Sequence, residues 1–220
     1  MSENSNRPLP RSVWLGCSLT FSLIGLAVFV AVYQNSLAQK QPLPVISQVA
    51  DFTLTNQDGK ITTLADFTNH VWVADIIFTS CGGPCPRMTQ QMRQVQEKLP
   101  ASSTAKLVTL TTIPEFDTPE VLKKYGTHYG ADFSRWTFLT GEKTQIGLLG
   151  ANSLKLSSQP VKPEEQKNAA DLFIHTTIFV IVDKHAQLRG FFETGGDGVD
   201  WTNTVLPKII STVRQLENEP

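Results

Sequence analysis

The longest apolar block in the chain is unbroken. From Ser12 to Tyr33 no charged residue interrupts a run dominated by Leu, Ile, Val, Phe and Ala. At 1.5 Å per residue it reaches about 33 Å, against a hydrocarbon core of about 30 Å. The pattern predicts a transmembrane helix at 12–33 behind a short cytoplasmic N-terminus at 1–11. Arg7 and Arg11 precede the run and the next basic residue is Lys40. The positive-inside bias therefore directs the C-terminal bulk out of the cytoplasm, to the periplasmic side of an inner membrane or its equivalent. A cleaved signal peptide is the rival, with Ser36-Leu37-Ala38 as a small-x-small site. The apolar run exceeds the usual signal core of about 7–15 residues, which favours the retained anchor. Cys17, near the start of the run, reads as a small apolar residue of a membrane helix. Residues 34–47 are polar and proline-bearing at first (QNSLAQKQPLP) and read as a linker to a folded domain at 48–220.

Beyond the linker, short apolar runs alternate with helical periodicities. Phe52 to Leu54 and Ile61 to Leu64, on either side of Asn56-Gln57-Asp58-Gly59, form a small hairpin pattern. Val71 to Phe78 (VWVADIIF) has the length and composition of a strand buried on both faces. Met88, Met92, Val95 and Leu99 then recur at helical spacing, which predicts a core-facing helix from Pro86 to Leu99. Lys106 to Thr112 is a strand. Thr118-Pro119-Glu120 opens a helix to about His128, with Thr118 as cap and Pro119 at the first helical position. Trp136 to Leu139 is a strand, Glu142 to Leu149 a helix, and Thr176 to Val182 and Leu188 to Phe192 strands around the turn Asp183-Lys184-His185. A helix from about Trp201 to Leu216 closes the chain. This order predicts a three-layer α/β domain around a central mixed sheet.

Composition narrows the function. Nineteen basic against twenty acidic side chains leave a net charge of −1. That balance provides no basic face for phosphates, so nucleic acid is excluded as the main partner. Three cysteines are too few for a disulfide-stapled scaffold, and a domain of this size needs no staple. A cysteine pair is therefore free for chemistry.

That pair lies in Thr79-Ser80-Cys81-Gly82-Gly83-Pro84-Cys85-Pro86, between the central strand and the helix after it. Cys81 and Cys85, four apart, can bring both sulfurs to one side of a loop or first helical turn. The helix N-terminus favours thiolate over thiol, and Gly82 and Gly83 permit a tight turn that leaves the sulfurs uncovered. Two such sulfurs can form a disulfide or bind a soft metal. His175, just before the strand at Thr177 to Val182, is either an ordinary strand-entrance histidine or a third donor. With it, the set would suit Cu(I) as a trigonal site, or Cu(II) with an added ligand. His70, His128 and His185 sit in turns or at a helix end and read as solvated. Asp117 reads as a turn or capping residue, or as a group that supplies charge or hydrogen bonding near the thiols. Met88 and Met92 read as core.

The chain resembles the Sco family, also called SenC-like. The resemblance covers roughly residues 50 to 215. It is carried by Asp51-Phe52-Thr53-Leu54 with Asp58-Gly59-Lys60, by the CxxxCP motif at Cys81 to Pro86 with Met88, by Asp117-Thr118-Pro119-Glu120 and Trp136 with Leu139-Thr140-Gly141, and by His175 with Ile181-Val182-Asp183 and Arg189-Gly190. It implies a membrane-anchored, thioredoxin-like fold that handles copper during cytochrome c oxidase assembly. It also implies Cys81, Cys85 and His175 as copper ligands. One departure is Ile113, which stands where the family often carries an acidic residue.

Two functions follow as expectations. One is a copper chaperone that holds Cu(I) or Cu(II) and passes it to a cytochrome c oxidase subunit or another copper client. The other is a thiol–disulfide oxidoreductase in which Cys81 and Cys85 cycle as a redox pair, reduce client cysteines and draw on a thiol reductant of the same compartment. The second does not need His175; the first does.

Overall fold

In the computed structural model, residues 21–32, 42–156 and 177–219 are described. They fall into two compact units, Met1–Pro42 and Leu43–Pro220. In the first, residues 21–32 form a helix, α1. No helix among the described residues is long and apolar enough to cross a membrane. The remainder of the apolar run at 12–33, Cys17 with it, lies outside the described residues.

The second unit is built on one eight-stranded mixed sheet. Its strands are β1 (Ser47–Gln48), β2 (Thr53–Asn56), β3 (Ile61–Thr63), β4 (Trp72–Ile77), β5 (Lys106–Thr111), β6 (Trp136–Thr140), β7 (Ile178–Val182) and β8 (Gln187–Glu193). The spatial order is β1-β8-β7-β4-β5-β6-β2-β3. β4, β5 and β6 run parallel, and β7 and β2 flank them antiparallel. The helices are α2 (Pro84–Lys98), α3 (Pro119–His128), α4 (Lys143–Gly147) and α5 (Leu206–Asn218).

Parallel strands need crossovers, and the sequence supplies them as α2 and α3. Val73 and Leu107 of the sheet pack with Met88, Met92 and Val95 of α2, Leu122 of α3 and Ile209 and Val213 of α5. On the opposite face Trp72, Ala74, Val108 and Val180 pack with Ile146 of α4 and with Leu149, Leu154 and Leu156 beyond it. Alternate residues of β4 thus enter two different cores, which is why this strand is apolar at every position but Asp75. The three-layer expectation holds, and so does the core role of Met88 and Met92.

Several boundaries differ from the sequence pattern. α2 begins at Pro84, not Pro86, and so takes Cys85 into its first turn. A six-residue π-helical turn, Leu148–Ser153, extends α4, and another, Trp201–Val205, leads into α5. Residues 43–48, which composition places largely in the linker, join the fold. Ser47 and Gln48 pair with Leu188 and Gln187 of β8, and the Leu43 carbonyl accepts from Arg189. That pairing depends on backbone groups, which leave no trace in side-chain polarity.

Candidate functional site

β4 ends beneath the loop that carries the cysteines. Phe78 to Cys81 form a turn closed by the Cys81 N–H donating to the Phe78 carbonyl at 3.2 Å. Gly83 is the residue before the first turn of α2, and Pro84 and Pro86 sit within it, where missing N–H donors cost nothing. Neither Gly82 nor Gly83 has a positive φ. A Cβ on Gly82 would meet nothing within 4 Å, whereas one on Gly83 would stand 3.8 Å from the Cys81 sulfur. An added side chain at Gly83 would thus make only ordinary contact with that sulfur. The Gly83 N–H also donates to Cys81 Sγ at 3.3 Å.

Both thiols are free, and both are buried: Cys81 is 7% exposed and Cys85 3%. They form a small apolar cluster with Ile77 and Phe78, against which Ile113 and Tyr125 pack. This overturns the expectation of uncovered sulfurs, and at Cys85 it favours thiol over the expected thiolate. Burial pushes the Cys85 thiol well above the usual range. A bond to the Phe78 backbone opposes this, and the neighbouring Cys81 adds to the rise. Loss of water around a buried anion is the largest cause of the rise.

Each cysteine is held by its own device. The Cys85 carbonyl accepts from Thr89 Oγ1 at 3.0 Å, and Thr89 Oγ1 is 2.8 Å from the Tyr125 hydroxyl. Since the Thr89 proton goes to the carbonyl, Tyr125 is the donor in the second bond. This chain ties the first turn of α2 to α3. On the Cys81 side, Asp117 accepts from the Thr79 N–H at 3.1 Å, from Thr79 Oγ1 at 2.5 Å and from Thr111 Oγ1 at 2.5 Å. Asp117 is buried, so of its two expected roles the hydrogen-bonding one beside the thiols is realised. Thr118 caps α3 as expected, its Oγ1 accepting from the Val121 N–H at 3.4 Å.

One group near the site is absent from the sequence reading. Asp75 lies in β4 on the α2 face, between Val73 of the main core and Ile77 of the cysteine cluster. It is fully buried. Its Oδ1 accepts from Thr109 Oγ1 at 2.6 Å, and Thr109 Oγ1 accepts from Trp136 Nε1 at 2.9 Å. Among the described residues its Oδ2 has no partner. Burial raises its carboxyl to about 7, and its charge adds to the rise at Cys85 and at Tyr125, whose phenol is itself raised chiefly by burial. The signal was a lone aspartate inside VWVADIIF, and hydropathy averaging hides it.

His175 lies outside the described residues. The chain enters β7 at Ile178, and β7 runs antiparallel to β4 with Ala74 opposite Val180 and Trp72 opposite Val182. The start of β7 is therefore at the end of β4 that feeds the cysteine loop. Thr177 is fastened there: its carbonyl accepts from the N–H of Thr194 at 2.6 Å and from its Oγ1 at 3.0 Å, and the Thr194 carbonyl accepts from Gln91 of α2 at 2.8 Å. His70 and the His185 turn are at the other ends of β4 and β7. His128 ends α3 and stacks edge-on with Tyr129. Among the described residues no three His, Cys, Asp or Glu side chains form a metal-holding group. The described part thus supplies two soft sulfur donors in an apolar pocket, which is donor chemistry that fits a copper ion and not a hard cation.

Comparison with known proteins agrees with this reading of the fold. Residues 41–208 match the family model SCO1/SenC. The SCO1 protein homolog of Bacillus subtilis (strain 168) is 35% identical over 173 residues, covering 78% of this chain and 83% of that protein. A Stutzerimonas stutzeri protein, named as a candidate copper-binding protein, is 30% identical over 139 residues, 62% of this chain and 64% of its own length. Among solved structures, BsSco superposes with a TM-score of 0.66 at 31% identity, over 82% of this chain and 100% of that one. BsSco is described as a member of the Sco family of cytochrome c oxidase assembly proteins in which a disulfide switch was identified. The fold around the cysteine pair is the thioredoxin-like fold of those structures, and the chain belongs to the SCO1/SenC family.

Proposed function

We propose that this protein is a copper chaperone of cytochrome c oxidase assembly that binds its cargo through Cys81, Cys85 and His175. The observation that carries the reading is the pair of free thiols, buried together in an apolar cluster at the start of α2. Sulfur donors in such surroundings select a soft ion, and copper in either oxidation state suits two thiolates and one imidazole. His175 precedes Ile178 by three residues in the sequence. The described start of β7 stands at the same sheet end as the thiols, which supports that histidine as the third ligand. Metal binding releases the thiol protons, so the raised Cys85 thiol makes loading favour higher pH. The names of the B. subtilis and S. stutzeri relatives, and the family of BsSco, support copper and an oxidase client.

The apolar run at 12–33, with Arg7 and Arg11 before it, supports a membrane anchor and a folded unit outside the cytoplasm. In that position the client is an oxidase subunit or another copper acceptor facing the same compartment. A second reading, thiol–disulfide exchange with client cysteines, is favoured by the same two free thiols and by the disulfide switch of BsSco. It needs a thiol reductant of that compartment.

Anaerobic copper titration of the reduced protein separates the two. Wild type should take one copper per chain with the spectrum of a thiolate-bound Cu(II) centre, and His175→Ala should weaken binding at least about tenfold. Retention of affinity and spectrum by His175→Ala would remove the three-ligand site. No tight copper, with ready exchange between the cysteine pair and a partner disulfide, would establish the oxidoreductase.

A further inference from the structure

Cys85 is positioned by a helix, but Cys81 precedes the helix and has no such support. What holds it is the turn from Phe78 to Cys81, and that turn is fastened at Thr79. The fastening group is a single buried carboxylate, Asp117, 1% exposed. Through Thr111 Oγ1, which also accepts from the Ile113 N–H at 3.1 Å, the same carboxylate fixes a residue that packs against the apolar cluster holding both cysteines. Asp117 itself is set by its own N–H, which donates to the Ile113 carbonyl at 3.0 Å. All three groups that bond its carboxylate are neutral donors, so the arrangement is a geometric clasp between two loops and not an ion pair.

We propose that Asp117 is a positioning residue for the thiol pair: its carboxylate latches the Cys81 turn to the 112–118 loop and thereby holds Cys81 at the distance from Cys85 that copper binding or disulfide formation requires. Without the latch, Thr79 and Ile113 are free to move while Cys85 stays bound to Thr89 and α2. The two sulfurs then meet less often, and both products of their meeting lose stability. For the copper half, the inference rests on the reading above. For the disulfide half, it rests only on the two cysteines.

The side chain that replaces Asp117 distinguishes a latch from a charge. Alanine removes all three acceptor contacts. Asparagine, with its oxygen toward the Thr79 N–H and Thr111 Oγ1 and its amide toward Thr79 Oγ1, keeps three contacts and removes the charge. The full-length chain in detergent, with Cys17→Ser throughout, is measured in two ways. The first is the metal-free equilibrium in which the Cys81–Cys85 disulfide and dithiothreitol exchange to give the two protein thiols and cyclic oxidised dithiothreitol. The second is copper affinity of the reduced, folded protein.

Asp117→Ala should shift the exchange about tenfold toward the protein dithiol and weaken copper about 10–100-fold, as loss of an outer-shell partner does. Asp117→Asn should stay within about threefold of wild type in both. If Asp117→Ala does not fold, Thr111→Val decides, since it removes one donor and nearly keeps the volume. It should move both equilibria in the same direction by about threefold. A folded Asp117→Ala with both equilibria unchanged would leave Asp117 as a turn residue only, and the same follows from an unchanged Thr111→Val. Asparagine as damaging as alanine would replace the latch by an effect of charge. Wild type without tight copper would sink the chaperone reading, and the exchange equilibrium would still decide the latch.

Discussion

Asp75 sits without solvent contact between β4 and α2, and among the described residues one of its oxygens has no hydrogen-bond partner. Its carboxyl is raised from 3.8 to about 7 by burial. The consequence for stability has a definite sign. Below 3.8 folded and unfolded chains both hold the proton. Between 3.8 and about 7 the unfolded chain releases it while the folded one keeps it, so stability falls as pH rises through that window and levels off above it. At 1.36 kcal/mol per unit the loss from this residue is at most about 4 kcal/mol. Asp75→Asn keeps the acceptor for Thr109 and removes the titration. Denaturant midpoints measured from pH 4 to 8 should therefore fall less steeply with pH in the variant than in wild type. Parallel profiles would mean that Asp75 does not carry this term. The cysteine site shows the same rule: at Cys85, dehydration is the largest cause of the raised thiol.

At the scale of elements, two helical glycines have opposite surroundings. A Cβ on Gly126 of α3 would come within 2.8 Å of the Phe138 ring and 2.9 Å of the Phe133 ring. One on Gly147, at the end of α4, would meet nothing within 4 Å. Gly126→Ala should therefore destabilise by about 1–3 kcal/mol through overpacking, in spite of its better helix propensity. Gly147→Ala should stabilise by about 0.4–1 kcal/mol. Urea unfolding of the two variants reads both signs directly. The close approach of α3 to β6 that forbids a side chain at Gly126 also brings Tyr125 to Thr89, and so reaches the Cys85 carbonyl. Packing of this helix and placement of the thiol are one arrangement.

In the unit that starts at Leu43, the first residues lock onto the last ones. Arg189 of β8 donates to the Leu43 carbonyl, to Asp183 at 2.5 Å and to Glu219 at 2.9 Å. Val49 and Ile46 donate to Ala186 and Leu188, and Ser47 Oγ donates to the Ser153 carbonyl at 2.8 Å. A chain beginning at Leu43 should melt as the longer chain does. One beginning at Ala50 loses the bonds made by Leu43, Ile46, Ser47 and Val49, each worth about 1 kcal/mol, and should melt lower by about 5–15 °C. Equal melting temperatures would show that residues 43–49 lie on the fold without holding it.

The sequence by itself determined the element order, the buried central strand, the capped start of α3 and the CxxxCP pair, because each is written in local periodicity or in residue types with few alternatives. Met88 and Met92 were legible as core for the same reason. The tertiary structure alone decided which groups surround the sulfurs. Cys81 and Cys85 are buried, Asp117 reaches back to Thr79, Ile113 packs against the cysteine cluster, and Asp75 lies in the core with one oxygen unpartnered among the described residues. The partners in each of these contacts come from different strands and loops, and only the register of the sheet sets their distances. Dehydration follows from that packing, and it is what raises the Cys85 thiol.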